Sequence, residues 1–187
     1  MVSLQRLSDL SHFCGGTLVA PDLVLTTNEC VVTTTASEIA VRVGGFSITN
    51  PLPDSELFAV NSIVVRPLGG PNDGTSTAES IISNDLAILV LSGTSQHPYV
   101  RLNENFEVPL ELQPLLTMGW GTTIYEFPTT PALLQQVDVT AIGNELCVSL
   151  SNAGGLGSYA NLLTNDLMCA VNDVRGPCTG DFGAYHI

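Results

Sequence analysis

His12-Phe13-Cys14-Gly15-Gly16-Thr17-Leu18-Val19-Ala20-Pro21, followed closely by Val24-Leu25-Thr26-Thr27-Asn28-Glu29-Cys30, is the stretch on which the reading of this chain turns. Pro21-Asp22 is a turn signal, because proline presets φ and an aspartate side chain bonds its own backbone two residues on. Leu23 to Thr27 is a β-branched run of the kind that suits a pleated, half-buried surface. The apolar stretch before the turn, Ser11 to Ala20, is interrupted by Gly15-Gly16. Successive antiparallel strands are expected, with a short strand at Val2-Ser3-Leu4-Gln5 before them.

Working outward, Ile39 to Gly44, Leu57 to Val65 and Asp85 to Leu91 have the same character. They are separated by turn-forming clusters such as Asn50-Pro51-Leu52-Pro53-Asp54 and Gly69-Gly70-Pro71-Asn72-Asp73-Gly74. Short strands at fairly even spacing, with little helical periodicity, argue for an antiparallel barrel or sandwich. The pattern weakens from Gly93 to Leu112, where Pro98, Asn103, Asn105 and Pro109 lie among polar residues, and an inter-domain crossing is expected there. It then restarts with strands at Leu115 to Thr123, Leu133 to Ile142 and Leu167 to Ala170, and an N-capped short helix at Asn144-Glu145-Leu146-Cys147.

The 187 residues are 44% hydrophobic, enough for a buried core. Five Lys plus Arg against eighteen Asp plus Glu leave a formal charge of −13, which repels phosphate backbones and anionic lipid surfaces, so nucleic acid is not an expected partner. Five cysteines, without a Cys-x-x-Cys pair or a Cys and His cluster at ligand spacing, read as disulfides rather than a metal site, with one left over. No run reaches the ~18 apolar residues of a membrane span, so no membrane insertion is expected. The first residues lack a basic segment followed by an apolar one, so a secreted protein's leader is not in this sequence.

Residues 12–30 resemble the pattern His-Phe-Cys-Gly-Gly-Ser-Leu-Ile, then Val-Leu-Thr-Ala-Ala-His-Cys, of the chymotrypsin-like (trypsin-like, S1) serine proteases. Asn84-Asp85-Leu86-Ala87-Ile88-Leu89 resembles that family's Asn-Asp-Ile-Ala-Leu-Leu. Thr117-Met118-Gly119-Trp120-Gly121 resembles its Thr-Gly-Trp-Gly strand. Cys178-Thr179-Gly180-Asp181-Phe182-Gly183-Ala184-Tyr185 resembles its nucleophile loop, Cys-x-Gly-Asp-Ser-Gly-Gly-Pro. The resemblance implies an all-β fold of two antiparallel six-stranded barrels. Residues 1–107 form the first and 108–187 an incomplete second, truncated at its C-terminal end. It further implies the disulfides Cys14–Cys30 and Cys147–Cys169, leaving Cys178 unpaired.

Serine protease chemistry needs a hydroxyl nucleophile, an imidazole that takes its proton, and a carboxylate that orients the imidazole. The resemblance puts the equivalent positions at Phe182, Glu29 and Asp85. A benzyl group has no oxygen with which to attack a carbonyl, and a base without a nucleophile accomplishes nothing. The expectation is therefore that no catalytic residue is functional and that the chain is not an enzyme. Gly180 is equivalent to the oxyanion-hole position, and Gly176 falls where the family sets primary specificity, implying a neutral pocket. Asp181 is expected to be exposed or hydrogen-bonded, near His12. Glu29 and Asp85 are expected to lie close together with Glu29 turned to solvent. Adjacent carboxylates recruit cations in other proteins, but no supporting motif accompanies these two, so no metal or cofactor is expected. Trp120 between glycines is expected to be a packing residue.

The resulting expectation is a protease homologue, extracellular, that works by binding another protein, such as a secreted hydrolase it inhibits. The substituted triad on a Thr- and Ser-rich frame resembles the secreted glucanase inhibitors of plant pathogens. The alternative is a truncated trypsin-like endopeptidase, or a fragment without independent activity.

Overall fold

The computed structural model describes residues 1–65, 85–105, 107–123, 129–153, 163, 167–172, 181 and 185–186, of which 151–153 and 185–186 are described in backbone only. The first half supplies β1 (Val2–Arg6), β2 (His12–Ala20), β3 (Leu23–Thr26), β4 (Ile39–Val43), β5 (Glu56–Val65) and β6 (Ala87–Leu91). These close into a barrel in the order β1-β2-β3-β6-β5-β4, every neighbouring pair antiparallel.

Alternation sets what fills the barrel. In β6, Ala87, Leu89 and Leu91 are buried while Ile88 and Val90 are only half-buried; in β4, Ile39, Val41 and Val43 are buried with Ala40 between them, and only Arg42 is half-buried. With Val2, Leu4, Leu18, Val24 and Val60 they form one apolar cluster. Register shifts at Leu4/Gln5, Leu18/Ala20 and Val60/Ser62 bend the strands, as closure of a small barrel requires. The Gly15-Gly16 pair does not interrupt β2. A Cβ on Gly16 would stand 2.8 Å from Val24 Cγ1, so the strand crosses the core there only because the side chain is missing.

The second half supplies β7 (Pro114–Gly119), β8 (Gln135–Ile142), helix α1 (Asn144–Ala153), β9 (Cys169–Val171) and β10 (Tyr185–His186). The strands form a four-stranded antiparallel sheet, β10-β7-β8-β9, over a small core of Leu115, Val139 and Ala141. The fold is thus all-β, with one closed six-stranded barrel and a second, partial sheet. The short helix expected from Asn144 runs ten residues, and its first bond is accepted by the Gly143 carbonyl from the Cys147 amide at 3.0 Å. Asn144 accordingly lies inside the helix rather than capping it.

Between the two halves the chain is irregular from 92 to 113 in its described part. The Val100 amide is held by the Leu18 carbonyl at 3.0 Å and the Leu112 amide by Ala141 at 2.8 Å, so the crossing is pinned at both ends. Phe46 to Ile48 pair with 132–134 through a bridge at Ser47 and Leu133 and two amide bonds of 2.8 and 2.9 Å. Trp120 is buried where the halves meet, its Nε1 directed at the Phe46 carbonyl at 3.4 Å.

The cysteines bond as Cys14–Cys30 and Cys147–Cys169, with Cα separations of 6.1 and 6.2 Å. Disulfides fit an oxidising, extracellular setting. Among the described residues no helix is long and apolar enough to cross a membrane.

Candidate functional site

The site is assembled by the pairing of β3 with β6. Their register sets Thr26 opposite Ala87, so the residues just after β3 run beside the residues just before β6. Thr26 Oγ1 donates to the Gly15 carbonyl at 2.9 Å in a buried bond that fixes the end of β3 to β2. The chain then turns, with the Val31 and Val32 amides both bonded to the Asn28 carbonyl at 3.0 and 2.9 Å. This turn brings the Glu29 amide to Asp85 Oδ1 at 2.8 Å.

The bond joins two segments 56 residues apart in sequence. It uses the Glu29 backbone, not its side chain, which is exposed, while Asp85 is half-buried. Cys30 follows and is tied to Cys14 in β2, with Thr27 Oγ1 donating to its Sγ at 3.2 Å. Two carboxylates are therefore displayed beside a disulfide on the rim of the barrel. By accepting from the Glu29 amide, the Asp85 carboxylate orients the turn.

A second cluster lies where the barrel meets the other sheet. Asp181, partly buried, accepts from the Gly121 amide at 2.6 Å. A Cβ on Gly119 or Gly121 would collide with the Asp181 carboxylate, so the Gly-Trp-Gly stretch is a cradle for that group. The indole between the glycines meets the His12 ring edge-on, with centroids 5.6 Å apart, and His12 Nδ1 shares a hydrogen with Ser3 Oγ at 2.8 Å. Asp181 is thus hydrogen-bonded in this region, and Trp120 packs. The Ser3–His12 bond and the glycine cradle were not singled out from the sequence. The only signal for the cradle was the paired glycines flanking a tryptophan.

Gly176, Cys178, Gly180 and Phe182 lie outside the described residues, so the geometry brings together Glu29, Asp85, Cys14 and Cys30 of the expected site but not these four. Among the described residues there is no group of three or more His, Cys, Asp or Glu side chains arranged to hold a metal ion.

The family model described as Trypsin matches residues 1–184. The chain belongs to the trypsin family. It is 31% identical over 187 residues to a trypsin of Sarcophaga bullata, covering 97% of this chain and 66% of that protein. Hypodermin-B of Hypoderma lineatum is 29% identical over 186 residues, with 97% and 65% covered, and trypsin theta of Drosophila melanogaster 31% over 189 residues, with 97% and 64% covered. The chain therefore spans somewhat less than two thirds of the length of these curated relatives.

These relatives correct one expectation. The chain was expected not to be an enzyme, on the strength of Glu29 and Phe182. Proteins similar to it over 97% of its length carry the name trypsin, which points to protease activity. Position 182 lies outside the described residues, so no geometry sets Phe182 beside Glu29 and Asp85.

Proposed function

We propose that this chain engages polypeptides at the rim formed by the Glu29 turn and Asp85, within a trypsin-like frame. The observation that carries the reading is the 2.8 Å bond from the Glu29 amide to Asp85, which holds side by side two segments that resemble the family's histidine and aspartate motifs. The names of the relatives support peptide-bond hydrolysis as the activity, and a polypeptide as the substrate class. In this reading residues 1–107 and 108–187 belong to the two halves of the protease frame. The resemblance makes Glu29, Asp85 and Phe182 the triad-equivalent positions, Gly180 the oxyanion-hole equivalent and Gly176 the specificity-pocket equivalent, so hydrolysis in this reading requires a nucleophile other than residue 182.

A second reading is protein binding at the same rim, as in inhibition of a secreted hydrolase such as a glucanase. The identity of residue 182 favours it, since phenylalanine offers no oxygen where the resemblance places the nucleophile. Both readings set the protein outside the cell, in keeping with its disulfides.

Fluorescein-labelled casein tests the proposal: saturable association or release of fragments is expected, and neither being seen contradicts it. Incubation with a biotinylated fluorophosphonate then separates the readings. A labelled serine with fragment release supports hydrolysis, and intact casein in a saturable complex supports binding.

A further inference from the structure

A groove of about 360 Å³ lies between the crossing segment and the second sheet, in the lower part of the ~300–1,000 Å³ range of ligand pockets. It is lined by Val108 and Pro109 of the crossing, Ile142 and Gly143 at the end of β8, and Leu167 and Met168 just before β9. It shares no residue with the Glu29–Asp85 rim, which is built from the first barrel.

The apolar surface does not stop at the groove. Leu110 and Leu112, in the turn beside it, are 63% and 67% exposed, and Met168 is 49% exposed. Leu112 has a φ of 65°, in the left-handed region that a bulky residue rarely adopts, while its amide donates to the Ala141 carbonyl at 2.8 Å. The chain thus bears backbone strain to keep a leucine in water, the reverse of what apolar burial favours. Single exposed leucines need no explanation, but several around one groove mark a surface that another molecule covers.

The polar groups narrow the choice of partner. Asn103 Nδ2 donates to the carbonyls of Asn105 and Val108 at 2.9 and 2.8 Å, the Leu110 amide to Gln113 Oε1 at 2.9 Å, and the Gln113 amide to the Leu110 carbonyl at 3.0 Å. The crossing segment satisfies its own backbone in this way, so an extended strand would find no ladder there to join. A helix, whose backbone bonds are internal, needs only side-chain contact. Charge comes from Glu111, whose Oε1 would stand 3.3 Å from a Cβ on Gly143, with Glu107 in the same loop and Glu145 in the first turn of α1. No Lys, Arg or His is among the described residues that line the groove. The formal charge of −13 opposes a second copy of the chain and an anionic membrane alike.

We propose that this groove docks a basic amphipathic helix of a partner protein, its apolar stripe against Val108, Leu112 and Met168 and its flanking cations toward Glu107 and Glu111. The assignment goes beyond engagement at the rim and does not rest on it. It adds a second contact surface, which selects a partner by the pattern of a helix face.

The test uses the full chain and a fluorescein-labelled peptide of two successive Leu-Lys-Lys-Leu-Leu-Lys-Leu heptads, whose leucines fall on one helical stripe. A scrambled peptide of the same composition, with leucines on every side, is the control. Saturable binding of the first peptide is expected, about ten-fold tighter than that of the control. Leu112→Gly should raise the melting temperature, because glycine suits a positive φ, yet weaken binding several-fold. Met168→Ser should weaken it similarly, and Glu111→Gln should lessen its dependence on salt. Equal binding of the two peptides, binding of neither, or binding indifferent to both Leu112→Gly and Met168→Ser would overturn the proposal. Sedimentation of the chain as a dimer that Leu112→Gly disperses would give the face to a second copy and overturn it as well.

Discussion

Asp181 accepts a hydrogen bond from the Gly121 amide at 2.6 Å, across 60 residues of sequence. The contact explains the glycines on both sides of Trp120, because a methyl group at either position would occupy the space the carboxylate fills. Gly121→Ala should therefore destabilise the fold by about 1–3 kcal/mol, the usual cost of forcing extra volume into a packed site. Urea unfolding followed by Trp120 fluorescence measures it. Asp181→Asn, which keeps an acceptor oxygen, should cost less than the alanine at 121.

Asp85 orients the Glu29 turn through one backbone bond. Asp85→Ala leaves that amide to water, so the stability lost should be modest, about 1 kcal/mol. The local effect should be larger than the global one. Hydrogen exchange at the Glu29 amide should accelerate in the variant while the β4 amides stay protected, and unchanged exchange at Glu29 would argue against the bond.

The Cys14–Cys30 bridge closes a loop with a sequence separation of 16. A loop of that size contributes about 3 kcal/mol by constraining the unfolded chain. The double substitution Cys14→Ala with Cys30→Ala should lower the unfolding free energy by that order, as measured by urea unfolding.

Acid should weaken the first barrel before it affects the second sheet. The Glu56 carboxylate accepts from Ser95 Oγ and from the Gln96 amide at 3.1 Å, and the Ser95 hydroxyl chiefly lowers its pKa from 4.5. Glu38 is lowered from the same starting value, first by the Thr35 amide and then by the Thr35 hydroxyl. A depressed carboxyl adds stability above its unfolded pKa and loses it as pH falls through the folded one. Both contributions should thus be complete above about pH 5 and fade below 4.5. Glu56→Gln should flatten the acid limb of a stability-versus-pH curve.

Much of the first barrel could be read from the chain because its strands are local and alternate. Leu23 to Thr27 after Pro21-Asp22 needed only turn chemistry and β-branching, and the structure places β3 at Leu23–Thr26. Gly15-Gly16 looked like a break because the reason for a missing Cβ, the approach of Val24, is a tertiary contact. Helix α1 was legible at its start, Asn144 to Cys147, but not in its length, for a related reason. Leu146 and Leu150, four residues apart, are both exposed, so they mark no buried face that periodicity could register. The Glu29–Asp85 approach was legible only through resemblance to known motifs, and for the partner of Asp181, 60 residues away, the glycines flanking Trp120 were the one signal.

The central claim is that the chain holds a polypeptide at the Asp85 rim. Anisotropy of fluorescein-labelled casein titrated with the full chain measures this, with fragment release followed in the same tube. Saturable association or cleavage, weakened by Asp85→Ala, is the predicted result. A flat titration with intact casein, or association indifferent to that substitution, would contradict it.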